Sequence, residues 1–260
     1  MNIKDHSGRS ALHHTVSGGF TETCQMLVSA GADVNIRDNS ESTPLHLALA
    51  RKQKNKKLEI CQILISGGAD LNAKVKNSPY YPPDKEAPLH LAVLAVIDYG
   101  SGLEFVRLLV AAGADVNITD SSFLDLTPLH LAFWPMPGNL YSYKKQLELC
   151  RILISGGADL NAQGKHGGTP LHWAVWVKCW SVELVQLFIS AGADLNIQNK
   201  SGQTHLHLLL KIKSKRVRFH KALVDLFIQH GTDLKLEDSM GDTPLTLLKN
   251  CPTCQKKYIT

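Results

Sequence analysis

The stretch Thr43-Pro44-Leu45-His46 decides the fold of this chain, because it recurs along the sequence. Close copies begin at Ala87, Thr127 and Thr169, and weaker copies begin at Ser10, Thr204 and Thr243. A second stretch, Gly31-Ala32-Asp33-Val34-Asn35, alternates with the first, and its copies begin at Gly68, Gly113, Gly157, Gly192 and Gly231. Both stretches return every 33 to 45 residues, a period that is typical of stacked repeats.

Each residue of the first stretch has a role at the start of a helix. Threonine at an N-cap accepts a hydrogen bond from a backbone N–H of the first turn, and proline suits the next position because it has no N–H to satisfy. The leucine then enters the core, and the histidine can bond back toward the threonine hydroxyl. In the second stretch, a glycine such as Gly31 or Gly68 can adopt the left-handed conformation that ends a helix.

Together the two stretches resemble the ankyrin repeat, whose unit is a turn followed by two antiparallel helices of about 33 residues. The resemblance covers nearly the whole chain and implies an all-α ankyrin-repeat solenoid with hairpin tips, built from six full repeats and a terminal half-repeat. We expect a single array over residues 1–250 and a short tail over 251–260. Because Asn2 precedes Asp5 as Asn35 precedes Asp38, the array is expected to begin in mid-repeat.

Basic charge is concentrated in two places. Residues 51–57 contain five basic side chains and residues 211–221 contain six, and neither run has an acid. We interpret these inserts as solvated loops, with an anionic partner or a nuclear import signal as alternatives. Phe219 is the one Phe, Tyr or Trp within these two runs, too few for repeated base stacking, so nucleic acid is an unlikely partner. The insert residues of interest are Arg51, Lys52, Lys54, Lys56, Lys57, Lys213, Lys215, Arg216 and Arg218.

The sequence carries no motif for catalysis. It contains no phosphate-binding glycine loop, nucleophile elbow or zinc-binding HExxH helix, so we predict that the protein is not an enzyme and needs no cofactor. One histidine per repeat suits a structural role better than a metal site. Cys251 and Cys254 have half of a zinc-ribbon spacing, but no second pair exists. Cys24, Cys61 and Cys150 occupy positions that are valine in other repeats, which indicates core positions.

The same observations bear on the setting of the protein. No run of about 18 apolar residues is present to span a membrane, and the N-terminal residues do not form a signal peptide. The cysteines fit core positions and do not form a disulfide framework. We therefore predict an intracellular protein, cytoplasmic or nuclear or both, that is monomeric.

Aromatic residues in the middle of the chain indicate a partner-binding surface. Trp134 and Trp176 each lie seven residues after the threonine of their repeat, at a position that varies between repeats. The resemblance implies that this position faces the concave surface and that partners bind there and at the turn tips. The neighbouring tips add Tyr80, Tyr81, Phe123, Leu124 and Leu126. The alternative is that these side chains pack beneath the long insert at 135–141.

Three turn tips lack the glycine that the others have two residues before the threonine. Glu41, Lys85 and Asp125 stand there instead, and a side chain resists positive φ. We therefore predict that the regular hairpin is lost at these three tips.

The resemblance also implies a modification. Asparagines in the second stretch of ankyrin repeats are often hydroxylated when a leucine lies eight residues upstream. Asn35 with Leu27 and Asn117 with Leu109 fit this pattern, so both are candidate hydroxylation sites.

The function predicted from these features is a noncatalytic scaffold for protein–protein interaction, which presents its concave face and turn tips to a protein partner. Two alternatives remain. One is a binder of nucleic acid or anionic membrane that uses the basic inserts. The other is a substrate-adaptor subunit of a larger enzyme assembly.

Overall fold

A computed structural model of the chain describes residues 2–49, 57–75, 86–99, 102–120, 124–134, 143–177, 181–212 and 217–250. Within these ranges the regular structure is helical throughout. The first helices of the repeats are α1 (Ala11–Gly18), α3 (Pro44–Leu49), α5 (Pro88–Tyr99), α7 (Pro128–Leu131), α9 (Pro170–Trp176), α11 (His205–Lys211) and α13 (Pro244–Lys249). The second helices are α2 (Thr21–Ser29), α4 (Lys57–Ser66), α6 (Leu103–Ala111), α8 (Tyr143–Ser155), α10 (Val182–Ser190) and α12 (Val217–Gln229).

The chain divides into two compact units. Unit 1 comprises residues 1–132 and 136–157, and unit 2 comprises residues 133–135 and 158–260. In unit 1 the first helices α1, α3, α5 and α7 pack in sequence, as do the second helices α2, α4, α6 and α8. In unit 2, α9, α11 and α13 form the first layer and α10 packs on α12. Each unit therefore has the two helical layers that the repeats predict. A single array over residues 1–250 stays a prediction.

The repeated threonine starts the first helices as expected. At α9 the Thr169 hydroxyl accepts a hydrogen bond from the His172 N–H at 3.4 Å, and the Thr169 N–H donates to His172 Nδ1 at 3.2 Å. The same reciprocal capping recurs at the starts of α1, α7 and α11. A histidine thus takes the place that glutamate or glutamine has in the usual capping box.

The core is built from the residues that the repeats predict. Five leucines of the first stretch are fully buried: Leu45, Leu89, Leu129, Leu171 and Leu206 are each 0% exposed, whereas Leu245 of the last copy is half-buried. Cys24, Cys61 and Cys150 are buried and form no disulfide bond. They align with the buried Val106, Val185 and Val224, which confirms that cysteine acts here as a small apolar residue.

The prediction that the tips without glycine lose their hairpin is wrong at two of the three positions. Glu41 and Asp125 adopt φ of 61° and 51°, close to the 76° of Gly8 at an ordinary tip. The Glu41 N–H donates to the Asp38 carbonyl at 2.9 Å, as the Gly8 N–H does to the Asp5 carbonyl at 2.9 Å. At Glu41 this hydrogen bond holds a side-chain-bearing residue in the left-handed conformation. Lys85 lies outside the described residues.

Candidate partner-binding surface

Three tryptophans of unit 2 form one cluster. The rings of Trp134 and Trp173 are stacked, with centroids 5.6 Å apart and planes inclined by 23°. Trp176 meets Trp173 edge to face, with centroids 6.0 Å apart and planes inclined by 78°. Trp134 and Trp173 are half-buried, whereas Trp176 is 59% exposed. We call these three residues the tryptophan cluster.

Buried neighbours hold the cluster in place. On α9, Leu171, Ala174 and Val175 are at most 2% exposed, so the opposite side of this short helix carries Trp173 and Trp176. Trp134 follows Phe133, whose ring lies 5.9 Å from that of Phe188 on α10. Because Phe133 and Phe188 are both fully buried, they anchor the backbone that carries Trp134.

The sequence predicted that Trp134 and Trp176 lie side by side, and the structure places Trp173 between them. Trp173 does not occupy the position that Trp134 and Trp176 share, so a comparison of that position between repeats does not find it. Trp173 and Trp176 are three residues apart, which puts both on one face of a helix. This spacing could have identified Trp173 from the sequence. The compared position is not uniformly exposed, since Leu94 is 2% exposed in unit 1.

The other predicted partner-binding residues have different outcomes. Leu126 is 1% exposed and cannot contact a partner, so its assignment to the surface is wrong. It immediately precedes the Thr127 cap, and its side chain enters the core. Leu124 is half-buried and belongs to unit 1. Tyr80, Tyr81 and Phe123 lie outside the described residues.

Most of the two basic inserts also lies outside the described residues, including Arg51, Lys52, Lys54, Lys56, Lys213, Lys215 and Arg216. Lys57 begins α4 and Arg218 lies in α12. Lys211, at the start of the second run, is bound within the fold. Its ammonium lies 2.5 Å from the Asp238 carboxylate and 2.9 Å from that of Asp242. These two acids neutralise Lys211, which weakens the case for phosphate binding by this run.

The repeated histidines link one repeat to the next. His46 Nδ1 accepts the Thr43 N–H at 3.2 Å, and its Nε2–H donates to the Ala73 carbonyl at 2.9 Å. His13, His90, His172 and His207 make the same pair of bonds. Burial lowers the pKa of His46, His90 and His172 to about 4. These rings are neutral structural groups, as predicted.

The asparagines of the second stretch also link one repeat to the next through hydrogen bonds. Asn35 donates to the Gly68 carbonyl at 2.9 Å and accepts the Asp70 N–H at 2.7 Å. Asn117 donates to the Gly157 carbonyl at 3.0 Å. Both asparagines are exposed residues, although their side-chain amides make hydrogen bonds.

Two further features of the described part of the chain bear on function. Among these residues, no group of three or more histidine, cysteine or acidic side chains is arranged to hold a metal ion. None of the helices seen there has the length and apolar character needed to cross a membrane. Cys251 and Cys254 fall outside the described ranges.

Comparison with known proteins places the chain beside a protein family and beside solved structures. The profile described as ankyrin repeats, in 3 copies, matches residues 1–75 and 89–199. The crystal structure of the ankyrin repeat domain of Bcl-3, a unique member of the IkappaB protein family, is similar with a TM-score of 0.69 and 26% identity. This similarity covers 93% of the chain and 95% of that structure.

Curated relatives match over shorter segments. Ankyrin repeat protein L271 of Acanthamoeba polyphaga mimivirus is 41% identical over 58 residues, which are 22% of this chain and 8% of that protein. Protein phosphatase 1 regulatory subunit 12A of Mus musculus is 50% identical over 42 residues, which are 16% of this chain and 4% of that protein. The matches therefore span a small part of these relatives.

Proposed function

Because the chain belongs to the ankyrin repeat family, we propose that it is a noncatalytic module that binds a protein partner through the tryptophan cluster of unit 2. Ankyrin repeats generally mediate protein–protein interactions, and their members are typically noncatalytic adaptors. The proposal adds to this general role a definite surface, formed by Trp134, Trp173 and Trp176.

The exposure of Trp176 is the observation that carries the proposal. An indole that is 59% exposed leaves a large apolar area in water, and burying it against a partner is favourable. Tryptophan is also among the residues that most often dominate binding energy at protein interfaces. The contact with Trp173 holds the ring in place before binding, so little side-chain entropy is lost when a partner arrives.

The two faces of α9 support the same proposal. Leu171 and Val175 supply the buried face of the helix, while Trp173 and Trp176 occupy the other face. Trp176 is thus not needed to close the core. Separate partner contacts in unit 1 remain proposed for Tyr80, Tyr81, Phe123 and Leu124. The buried Leu126 is not among them.

We further propose an intracellular location and a role as an adaptor. Cys24, Cys61 and Cys150 form no disulfide bond, which supports an intracellular setting, cytoplasmic or nuclear. The 42-residue similarity to a phosphatase regulatory subunit supports a role as an adaptor within a larger enzyme assembly.

Affinity purification tests the proposal when wild-type protein is compared with W176A and M240A. Met240 is an exposed apolar residue of the same unit, at 80%, and serves as a matched control outside the cluster. We expect specific partners of the wild type to be lost with W176A and retained with M240A. Equal recovery with all three proteins would place the binding surface elsewhere.

A further inference from the structure

Half-buried apolar side chains continue from the tryptophan cluster across the first helices of unit 2. Trp173, Leu208 and Leu247 each lie four residues after the threonine cap of their helix, on α9, α11 and α13. All three are half-buried, and α11 packs on both α9 and α13. Because they occupy equivalent positions of consecutive helices, they form one row, which we call the apolar row.

The spacing of the apolar row matches a partner in the polyproline II conformation. Neighbouring packed helices lie about 8–10 Å apart, so successive members of the row are separated by about this distance. A polyproline II helix has about three residues per turn and rises about 3.1 Å per residue, so every third side chain falls on one face. A segment in this conformation that crosses α9, α11 and α13 can therefore place one side chain on each member of the row.

The tryptophan cluster supplies the aromatic surface that such a segment needs. The ring planes of Trp173 and Trp176 are inclined by 78°, and Trp176 is 59% exposed, so the two rings form a corner with an exposed wall. Proline-rich segments dock on aromatic side chains in the domains that recognise them. Their backbone is already ordered before binding, so little entropy is lost when they dock.

The charge beside the apolar row is negative. Lys211 lies seven residues after the cap of α11, as Trp176 does after the cap of α9. Its ammonium contacts both Asp238 and Asp242, so the three groups together carry one net negative charge. The Asp238 side chain is 0% exposed, whereas that of Asp242, which immediately precedes the cap of α13, is 39% exposed. A basic side chain of a partner complements this charge.

We propose that the apolar row and Asp242 bind a proline-rich segment of a partner protein that also carries a basic residue. This inference rests on the proposed function and names the chemistry of the partner. Two apolar side chains of the segment, three residues apart, lie on the tryptophan corner and on Leu208. An arginine three residues further along pairs with Asp242, and this ion pair fixes the direction of the segment along the row.

The test uses a dye-labelled synthetic peptide, Leu-Pro-Pro-Leu-Pro-Pro-Arg, whose binding to the intact chain is measured by fluorescence anisotropy. We expect saturable binding to the wild type and binding at least about tenfold weaker to W176A. A peptide with alanine in place of every proline has the same side-chain order without the polyproline II preference, and we expect it to bind less tightly.

A third peptide tests the other occupant that could follow the row. It is an alanine-based helix in which two leucines and an arginine recur at every seventh position, a spacing of about 10 Å along one face. The proposal is overturned if the helical peptide or the alanine-substituted peptide binds as tightly as the proline peptide, or if the proline peptide does not bind.

The ion pair is tested with D242N, which keeps the shape of the side chain and removes its charge. We expect D242N to bind the arginine peptide about threefold more weakly, and to bind the same peptide with glutamine in place of arginine as the wild type does. Equal weakening for both peptides would contradict the contact with Asp242. If D242N does not fold, the wild type alone decides, and it should bind the glutamine peptide about threefold more weakly than the arginine peptide.

The outcomes separate this inference from the proposed function. If the proline peptide does not bind while W176A still loses the partners of the wild type, the inference is overturned and the proposed function stands. If W176A retains those partners, the proposed function itself is overturned.

Discussion

At the scale of single residues, the leucine of the repeated stretch is expected to carry much of the stability. Leu171 is 0% exposed in unit 2, and replacing it with alanine leaves a cavity. We predict that L171A lowers the free energy of unfolding by about 2–5 kcal/mol, measured by urea unfolding followed by circular dichroism. An unchanged denaturation midpoint would contradict the assignment of Leu171 to the core.

Glu41 adopts a φ of 61°, which has a steric cost for a residue with a Cβ atom. Glycine adopts this region without that cost. The exposed ion pair of Glu41 with Arg37, at 3.5 Å, contributes little. We predict that E41G raises the free energy of unfolding by about 1 kcal/mol, while D125G has a smaller effect because aspartate tolerates this conformation better. Chemical denaturation measures both, and a loss of stability in E41G would show that the Glu41 side chain holds the tip.

The asparagine links give a third residue-scale prediction. We propose that Asn35 and Asn117 are hydroxylated at Cβ, which is compatible with the hydrogen bonds of their amides. Asn196 occupies the same position but has Phe188, not leucine, eight residues upstream, so it should remain unmodified. Mass spectrometry of peptides from oxygen-replete cells should find a gain of one oxygen atom on Asn35 and Asn117. Finding neither modified would refute the proposal.

At the scale of elements, the buried histidines of the first helices make stability depend on pH. The pKa of His46, His90 and His172 is lowered from 6.5 to about 4 by burial. Between these values the unfolded chain binds protons that the folded chain does not, so acid favours unfolding. We predict that the free energy of unfolding is at its full value above about pH 6.5 and falls by several kcal/mol toward pH 4. Urea unfolding at several pH values measures it, and a flat profile would contradict neutral, buried rings.

The helix starts and ends were predictable from sequence because their causes are local. Threonine caps such as Thr169 and left-handed glycines such as Gly31 act within a few residues. The burial of Leu126 was not predictable in this way, since tertiary packing decides whether a residue before a helix cap faces solvent or the core. At Glu41 the turn hydrogen bond outweighs the preference of the side chain for negative φ, and sequence alone does not show the balance between them.

At the scale of the whole molecule, the repeated stretches predicted the family and the two helical layers, but only part of the candidate site. Trp134 and Trp176 were found by comparing repeats. Their connection through Trp173 depends on how α9 packs beside the segment that Phe133 anchors, which is a tertiary contact. The partner's identity depends on chemistry that lies outside this chain.

The central claim is that the tryptophan cluster binds a partner and is not needed for folding. Its most direct test is the affinity of W176A for a partner captured by the wild type, measured by isothermal titration calorimetry beside its thermal unfolding. We predict a loss of about 2 kcal/mol in binding, or roughly 30-fold in affinity, with a much smaller loss of stability than in L171A. Unchanged affinity, or unfolding of W176A, would contradict the claim.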